Sequence, residues 1–314
     1  MKRCVIYVFS GTGNTKLCSD LYKKYFEPLG VETEVFSVRM KNGKYVEYPD
    51  PASFDLAGFA FPVHGFNCPK AMNDFVKQLP GLSEKKTCFI LKSSGEGLFL
   101  NDYASLKIIS KLIRKNFDVV SDRRYVMPYN MIFRHTDEMV KSEYIYANAL
   151  IDLHCREILE GKREKVRVFP LKYWFVPIVR ILWLYAKVQG PFMYADKEKC
   201  LKCNKCVKNC PLGNIYFDES KDKYVFGTNC VLCVSCSFGC PAKAISIGLL
   251  NGWRVNGSYN IEKTAARAEL EFQVFPKLKG FKGFLYKGYY RKADRILQEN
   301  GVKLAKYAEN VDNK

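Results

Sequence analysis

Cys4-Val-Ile-Tyr-Val-Phe9 runs straight into Ser10-Gly11-Thr12-Gly13-Asn14-Thr15, and Leu17, Cys18, Leu21, Tyr22, Tyr25 and Leu29 then recur at helical spacing before Gly30. A continuous apolar, β-rich run of this length fits a strand buried on both faces of a parallel sheet. Gly30 stands where a C′ glycine would end the helix. Between strand and helix lies a turn of glycines and hydroxyls. Such a turn presents N–H groups and hydroxyls to an anion at the positive end of a helix, and its glycines permit close backbone approach. No lysine or arginine occupies Ser10–Thr15, which sets the turn apart from the Gly-Lys-Ser/Thr loop of P-loop nucleotidases.

The alternation continues outward from this stretch. Val31–Val38, Leu56–Phe61 and Thr87–Lys92 read as further strands, with Tyr125–Met127 as part of a fifth. Helical patterns separate them at Lys70–Gln78 and Tyr103–Asn116, and a long one runs from Asp137 to Glu160. Strand–helix alternation predicts an α/β, doubly wound parallel sheet, which binds ligands beyond the carboxyl ends of its strands at the topological switch point.

Over roughly residues 1–160 these features resemble the flavodoxin family, most of all at Ser10–Thr15. The resemblance implies strand order 2-1-3-4-5 and an FMN cofactor. It implies that Ser10, Thr12, Asn14 and Thr15, with the backbone of Gly11 and Gly13, hold the FMN phosphate. Two later loops match by position. Pro62-Val63-His64-Gly65-Phe66-Asn67 and Ser93-Ser94-Gly95-Glu96-Gly97 would flank the isoalloxazine ring, with Gly65 letting a peptide turn toward flavin N5. The first loop lacks the family's usual tryptophan and leaves His64 and Phe66 to face the ring. The second lacks the usual stacking tyrosine.

A second signature stands at Cys200-Leu-Lys-Cys203-Asn-Lys-Cys206-Val-Lys-Asn-Cys210-Pro211. It returns thirty residues later as Cys230-Val-Leu-Cys233-Val-Ser-Cys236-Ser-Phe-Gly-Cys240-Pro241. The spacing C-x2-C-x2-C-x3-C-P, present twice, is that of iron–sulfur proteins. Zinc sites instead use two C-x2-C knuckles per metal, which this pattern fits badly. Residues 195–250 resemble a bacterial two-cluster [4Fe–4S] ferredoxin, a small α+β domain. In that family the fourth cysteine of each run serves the other cluster. One cluster would then take Cys200, Cys203, Cys206 and Cys240, and the other Cys230, Cys233, Cys236 and Cys210.

The remaining cysteines, Cys4, Cys18, Cys68, Cys88 and Cys155, lie outside this spacing and read as packing residues, with Cys68 a candidate reactive thiol. With eight of 13 cysteines in metal-type spacing, a secreted disulfide scaffold is disfavoured and a reduced, cytoplasmic protein is expected. The first ten residues carry no signal-peptide core. His154 falls on an apolar helix stripe and reads as packed; His135 has no legible partner.

Four parts follow in order: a flavodoxin-like FMN-binding domain (1–161), a basic and aromatic linking helix segment (162–194), the two-cluster domain (195–250), and a basic aromatic extension (251–314). In the linking segment, Tyr173-Trp174-Phe175-Val176-Pro177 through Tyr185 is too short and too broken to span a bilayer. It suits domain docking or a peripheral membrane contact. The extension would pack on the first domain or meet a partner, with 305–314 disordered. The formal charge of +18 points to an acidic partner, here a redox protein, since no nucleic-acid-binding fold surrounds the basic residues.

The whole chain resembles a flavodoxin fused to a two-cluster ferredoxin, the EFR1-type ferredoxin family of anaerobic bacteria. The resemblance implies electron transfer between FMN, two [4Fe–4S] clusters and an external redox partner. The alternative is an FMN-dependent reductase of a small molecule, an oxidoreductase fed by the clusters.

Overall fold

The computed structural model describes residues 1–41, 43–45, 47–164, 188–255 and 257–312. Most of the linking segment, including Trp174 and Trp183, lies outside the described residues, and the docking and membrane readings lie there with it. No described helix is long and apolar enough to cross a membrane.

Strands β1 (Lys2–Val8), β2 (Val31–Ser37), β3 (Leu56–Pro62), β4 (Lys86–Ser94) and β5 (Phe117–Val126) form one parallel sheet in the order β2-β1-β3-β4-β5. This is the expected doubly wound α/β sheet, with its switch point between β1 and β3. Alternation along β1 sorts the core. Cys4, Ile6 and Val8 face helices α1 (Asn14–Phe26) and α4 (Asp137–Leu159). Val5 and Tyr7 face α2 (Lys70–Gln78) and α3 (Leu106–Arg114). Gly58 sits mid-strand because a Cβ there would stand 2.5 Å from the Phe89 ring.

Helix α3 begins at Leu106 rather than Tyr103, because a 3-10 turn, Phe99–Tyr103, precedes it. Strand β5 is ten residues long, where only Tyr125–Met127 stood out in the sequence. Its charged residues masked it, and they are paired inside the fold. Lys92 of β4 is fully buried, with Nζ 2.8 Å from Asp122 Oδ1 and 2.7 Å from the Asp102 carbonyl. Arg124 lies 2.8 Å from the Asp102 carboxylate and donates to Ser94 Oγ and the Glu96 carbonyl. Burial opposes ionisation of Asp102, but Arg124 and Lys92 together hold its carboxyl below the ordinary range.

The cysteine-rich part is a small unit of its own. Strand β6 (Tyr194–Ala195) pairs antiparallel with β9 (Ile245–Ser246), and β7 (Ile215–Asp218) with β8 (Lys223–Phe226). Two short helices, α5 (Lys205–Asn209) and α6 (Ser235–Phe238), follow the two cysteine loops. Met193, Ile215, Tyr224, Phe226 and Ile247 make its core.

The extension packs on the sheet domain. After α7 (Ile261–Ala265), helix α8 (Gly280–Glu299) lays Leu285, Tyr286, Tyr290, Ala293 and Leu297 into the core beside α4. Tyr290 stacks on Phe275 at 3.8 Å. Burying each tyrosine of this kind contributes on the order of 2 kcal/mol. Residues 305–312 form helix α9 (Ala305–Asp312) rather than the disordered end expected. Tyr307 accounts for the difference: it is buried and donates its hydroxyl to Asp152 of α4.

His135, just before α4, and His154, on it, are both packed. His135 has partners the sequence did not reveal: Nδ1 lies 2.8 Å from the Glu143 carboxylate and Nε2 2.8 Å from the Tyr286 hydroxyl. His154 Nδ1 meets the Tyr125 hydroxyl at 2.6 Å. Burial, with smaller effects from Arg123 and Lys292, holds the His154 imidazole well below its ordinary 6.5. The unfolded chain therefore takes up this proton first, so stability is full above about 6.5 and falls as pH drops below it. A His154→Gln variant is expected to show a shallower decline between pH 7 and pH 5. The difference should reach up to about 1.4 kcal/mol per pH unit, read from urea unfolding at each pH. Equal slopes in the two proteins would mean that His154 carries none of the decline.

Cys68 is buried, its Sγ 3.7 Å from the Pro69 carbonyl. It packs like the other cysteines outside the repeats rather than standing open as a candidate reactive thiol would. The other four cysteines outside the repeats are buried too.

Candidate functional site

A cleft of about 830 Å³ opens beyond the carboxyl ends of β3, β4 and β5. Pro62, Val63, His64, Gly65 and Phe66 line it from the loop after β3, and Ser93, Ser94, Gly95 and Glu96 from the end of β4. Asn67 stands behind, pairing its backbone with His64 at 2.9 and 3.0 Å. That pairing closes a tight turn in which Gly65 and Phe66 have φ of 51° and 60°. Positive φ at both central positions is the type I′ pattern, which glycine accepts freely and phenylalanine rarely. The turn holds His64 in the cleft. Its apolar surroundings lower the imidazole to about 4, while a hydrogen bond with the Val231 backbone pulls the other way. His64 is thus neutral at pH 7.

The Ser10–Thr15 turn lies at one end of the cleft. Asn14 lines it, whereas Ser10, Gly11, Thr12, Gly13 and Thr15 do not. Gly13, at φ 101°, precedes α1, and its N–H donates to Ser10 Oγ at 3.2 Å. Asn14 donates to the Pro128 carbonyl at 2.7 Å, Thr15 and Ser93 share a hydrogen bond of 2.7 Å, and Asn130 donates to Thr12 Oγ1. The turn gathers hydroxyls and N–H groups at a helix start, where anions are favoured.

Several wall residues were not read from the sequence. Tyr129 and Asn130 follow β5, and Trp253 comes from the 3-10 turn Gly248–Trp253. Tyr129 donates to Glu96, whose other oxygen accepts from Asn101 at 2.5 Å. A Cβ on Gly95 would stand 2.2 Å from the Tyr129 ring, so glycine is what lets that ring lie over the β4 loop. Tyr129 and Trp253 thus bring aromatic rings to the cleft wall from outside the two loops.

The opposite wall belongs to the second cysteine loop. Cys230, Val231, Leu232, Cys233 and Val234 line the same cleft. A Cβ on Gly11 would stand 2.5 Å from the Cys233 carbonyl and 2.8 Å from its Cβ. The glycine turn and the cysteine loop are in direct contact, which only a residue without a side chain permits.

The two cysteine loops have the same backbone. Lys202 and Asn204 have φ of 49° and 58°, and the equivalent Leu232 and Val234 of 51° and 52°. Left-handed geometry at four residues, one of them β-branched, is costly and recurs where function demands it. N–H groups point at sulfur: Leu232 N at Cys230 Sγ (3.4 Å), Asn214 N at Cys210 (3.3 Å) and Ala244 N at Cys240 (3.3 Å). The thiols fall into two groups that cross between the repeats. Cys210 neighbours Cys230, Cys233 and Cys236, and these four line one small cavity. Cys206 neighbours Cys200 and Cys240, and Tyr224 lies beside Cys200, Cys203 and Cys206. Burial raises the Cys206 thiol to about 11 and that of Cys233 to about 12.

Among the described residues no three His, Cys, Asp or Glu side chains converge closely enough for a single metal ion. A four-iron cubane makes a different demand: it takes one thiolate per iron, so its ligands surround a body rather than a point.

No family model matches the chain. It is 38% identical over 53 residues to the archaeal-type glutamate synthase [NADPH] of Thermotoga maritima, covering 17% of this chain and 10% of that protein. It is 39% identical over 51 residues to the pyruvate synthase subunit PorD of Methanocaldococcus jannaschii, covering 16% of this chain and 59% of that one. The chain thus spans from a tenth to under two thirds of the length of these curated relatives. Among solved structures it is similar to a Streptococcus pneumonia TIGR4 flavodoxin, at 17% identity and a TM-score of 0.37, over 50% of this chain and 98% of that one.

Proposed function

We propose that the chain is an electron-transfer protein of the EFR1 type, holding FMN in the cleft and a [4Fe–4S] cluster on each crossed cysteine group. The observation that carries this reading is the shared cleft: one wall comes from the β3 and β4 loops, the other from Cys230–Val234. Ser10, Thr12, Asn14 and Thr15 would hold the phosphate with the N–H groups of Gly11 and Gly13. The Gly65 turn, Tyr129 and Trp253 would flank the ring. Val231, Leu232 and Val234 would exclude water between ring and cysteines. When bound, the flavin can exchange one or two electrons and each cluster one, so the chain would convert between single and paired electrons.

Protein purified without oxygen is expected to contain about eight iron atoms and one non-covalent FMN per chain. Zinc in place of iron, or absence of flavin, would sink the reading.

A second reading, reduction of a small molecule above the ring, draws on the neutral His64 and on the Tyr129 hydroxyl in the cleft. Turnover of an acceptor by reduced protein, beyond that of free FMN, would favour it.

A further inference from the structure

The two cysteine loops share a conformation, so their side chains are the variable. At equivalent positions Lys202 stands against Leu232, Lys205 against Ser235 and Lys208 against Phe238. Leu201–Lys205 is exposed without a break and includes Cys203. In the other loop Val231–Cys233 is half-buried and Val234–Phe238 buried. Along the stretch 196–208, Lys197, Lys199, Lys202, Lys205 and Lys208 stand against Asp196 and Glu198, whereas the stretch 226–238 carries no charge. Some of this charge is spent locally: Lys199 pairs with Asp196 and Lys202 with Asp222, each at 2.7 Å. Lys205 and Lys208 remain on the same exposed rim.

We propose that the Cys200–Lys208 loop is the docking port for an acidic one-electron carrier protein, while its apolar twin faces the cleft. The proposal rests on reading the cysteines as cluster ligands. A cluster on four thiolates is itself an anion and would repel an acidic carrier; the lysine rim reverses that field at the one exposed cysteine. Complementary charge steers such encounters and raises their rate, most of all at low salt. A lipid surface or single-stranded nucleic acid would call for exposed aromatic side chains among the lysines; the stretch 196–210 carries none, and Phe217, whose ring lies 5.9 Å from Lys202 Nζ, is half-buried. Each encounter moves one electron: the carrier is oxidised by one, the cluster reduced by one, and no bond is made or broken.

The test compares holo-protein with two charge reversals of equal size, Lys205→Glu/Lys208→Glu on the loop and Arg291→Glu/Arg295→Glu on α8. Iron and flavin are measured in each. Binding to a purified acidic two-cluster ferredoxin is followed by calorimetry, and reduction by it through stopped flow. The loop variant is expected to lose about tenfold or more in affinity and rate at low ionic strength, with the gap closing at high salt. The α8 variant should change by less than about twofold. Equal behaviour of all three proteins, or an equal loss in the α8 variant, overturns the port. Unchanged carrier affinity with lost binding to anionic vesicles overturns it in favour of a lipid surface. Protein without iron or flavin would instead overturn the reading beneath it.

Discussion

A Cys210→Ala variant is expected to lose the cluster of Cys230, Cys233 and Cys236 and to keep that of Cys200, Cys203 and Cys206, its own run. Iron should fall from about eight to about four atoms per chain. The expectation follows from which thiols stand together. Cys210 lines one cavity with Cys230, Cys233 and Cys236, while Cys206 neighbours Cys200 and Cys240. The proline after each fourth cysteine turns the chain away, so Cys210 leaves its own loop for the opposite one. The consequence extends to the cleft, because the emptied loop is the one that lines it. Electron exchange with the flavin should then slow sharply, while the cluster at the exposed Cys203 is still reduced from outside. A Cys240→Ala variant should do the reverse. Loss of the Cys200 cluster in the Cys210 variant would sink the crossed assignment.

Asp122→Ala is expected to cost about 3–5 kcal/mol of stability. Lys92 is fully buried, and Asp122 is the carboxylate it meets at 2.8 Å. Removing that partner leaves the ammonium hydrogen-bonded to a carbonyl and the Ser105 hydroxyl, at 2.7 and 3.0 Å, with the nearby Asp102 carboxylate already paired to Arg124. Neither neutral acceptor offsets the lost solvation of a charge. The double variant Lys92→Met/Asp122→Leu removes both charges and should recover most of the loss. Equilibrium unfolding in urea reads both. If single and double variants cost the same, packing rather than charge is what the pair supplies.

The same charged cluster explains where the sequence was legible and where it was not. Strand β1 stood out because both its faces are buried, which forces an unbroken apolar run. Strand β5 did not, because Asp122, Arg123 and Arg124 find their counter-charges inside the fold, and pairing of that kind leaves no periodic trace. The cysteine loops were legible because cluster geometry dictates spacing along the chain. Their unequal burial was not, since it depends on Gly11 meeting Cys233 across the interface. Tyr129 could have been found: it follows a strand end, where doubly wound sheets hold their ligands. Trp253 could not, since Ile132 N binds its carbonyl at 2.5 Å across a gap in sequence that no local pattern signals. His135 needed Tyr286, 151 positions away.

The hold of α8 on the β4 loop also bears on how the protein is made. The Tyr286 hydroxyl donates to the Gly95 carbonyl, 191 residues earlier, and the Gly97 N–H donates to the Leu285 carbonyl at 2.9 Å. At ribosomal rates of about 5–20 residues per second, roughly 10–40 s separate synthesis of the loop from synthesis of its clamp. During that interval all five strands have emerged, yet the loop beside the cleft hangs without its support, and both cysteine runs are translated before α8 arrives. The nascent chain therefore carries both complete cysteine runs before α8 can clamp the β4 loop beside the cleft.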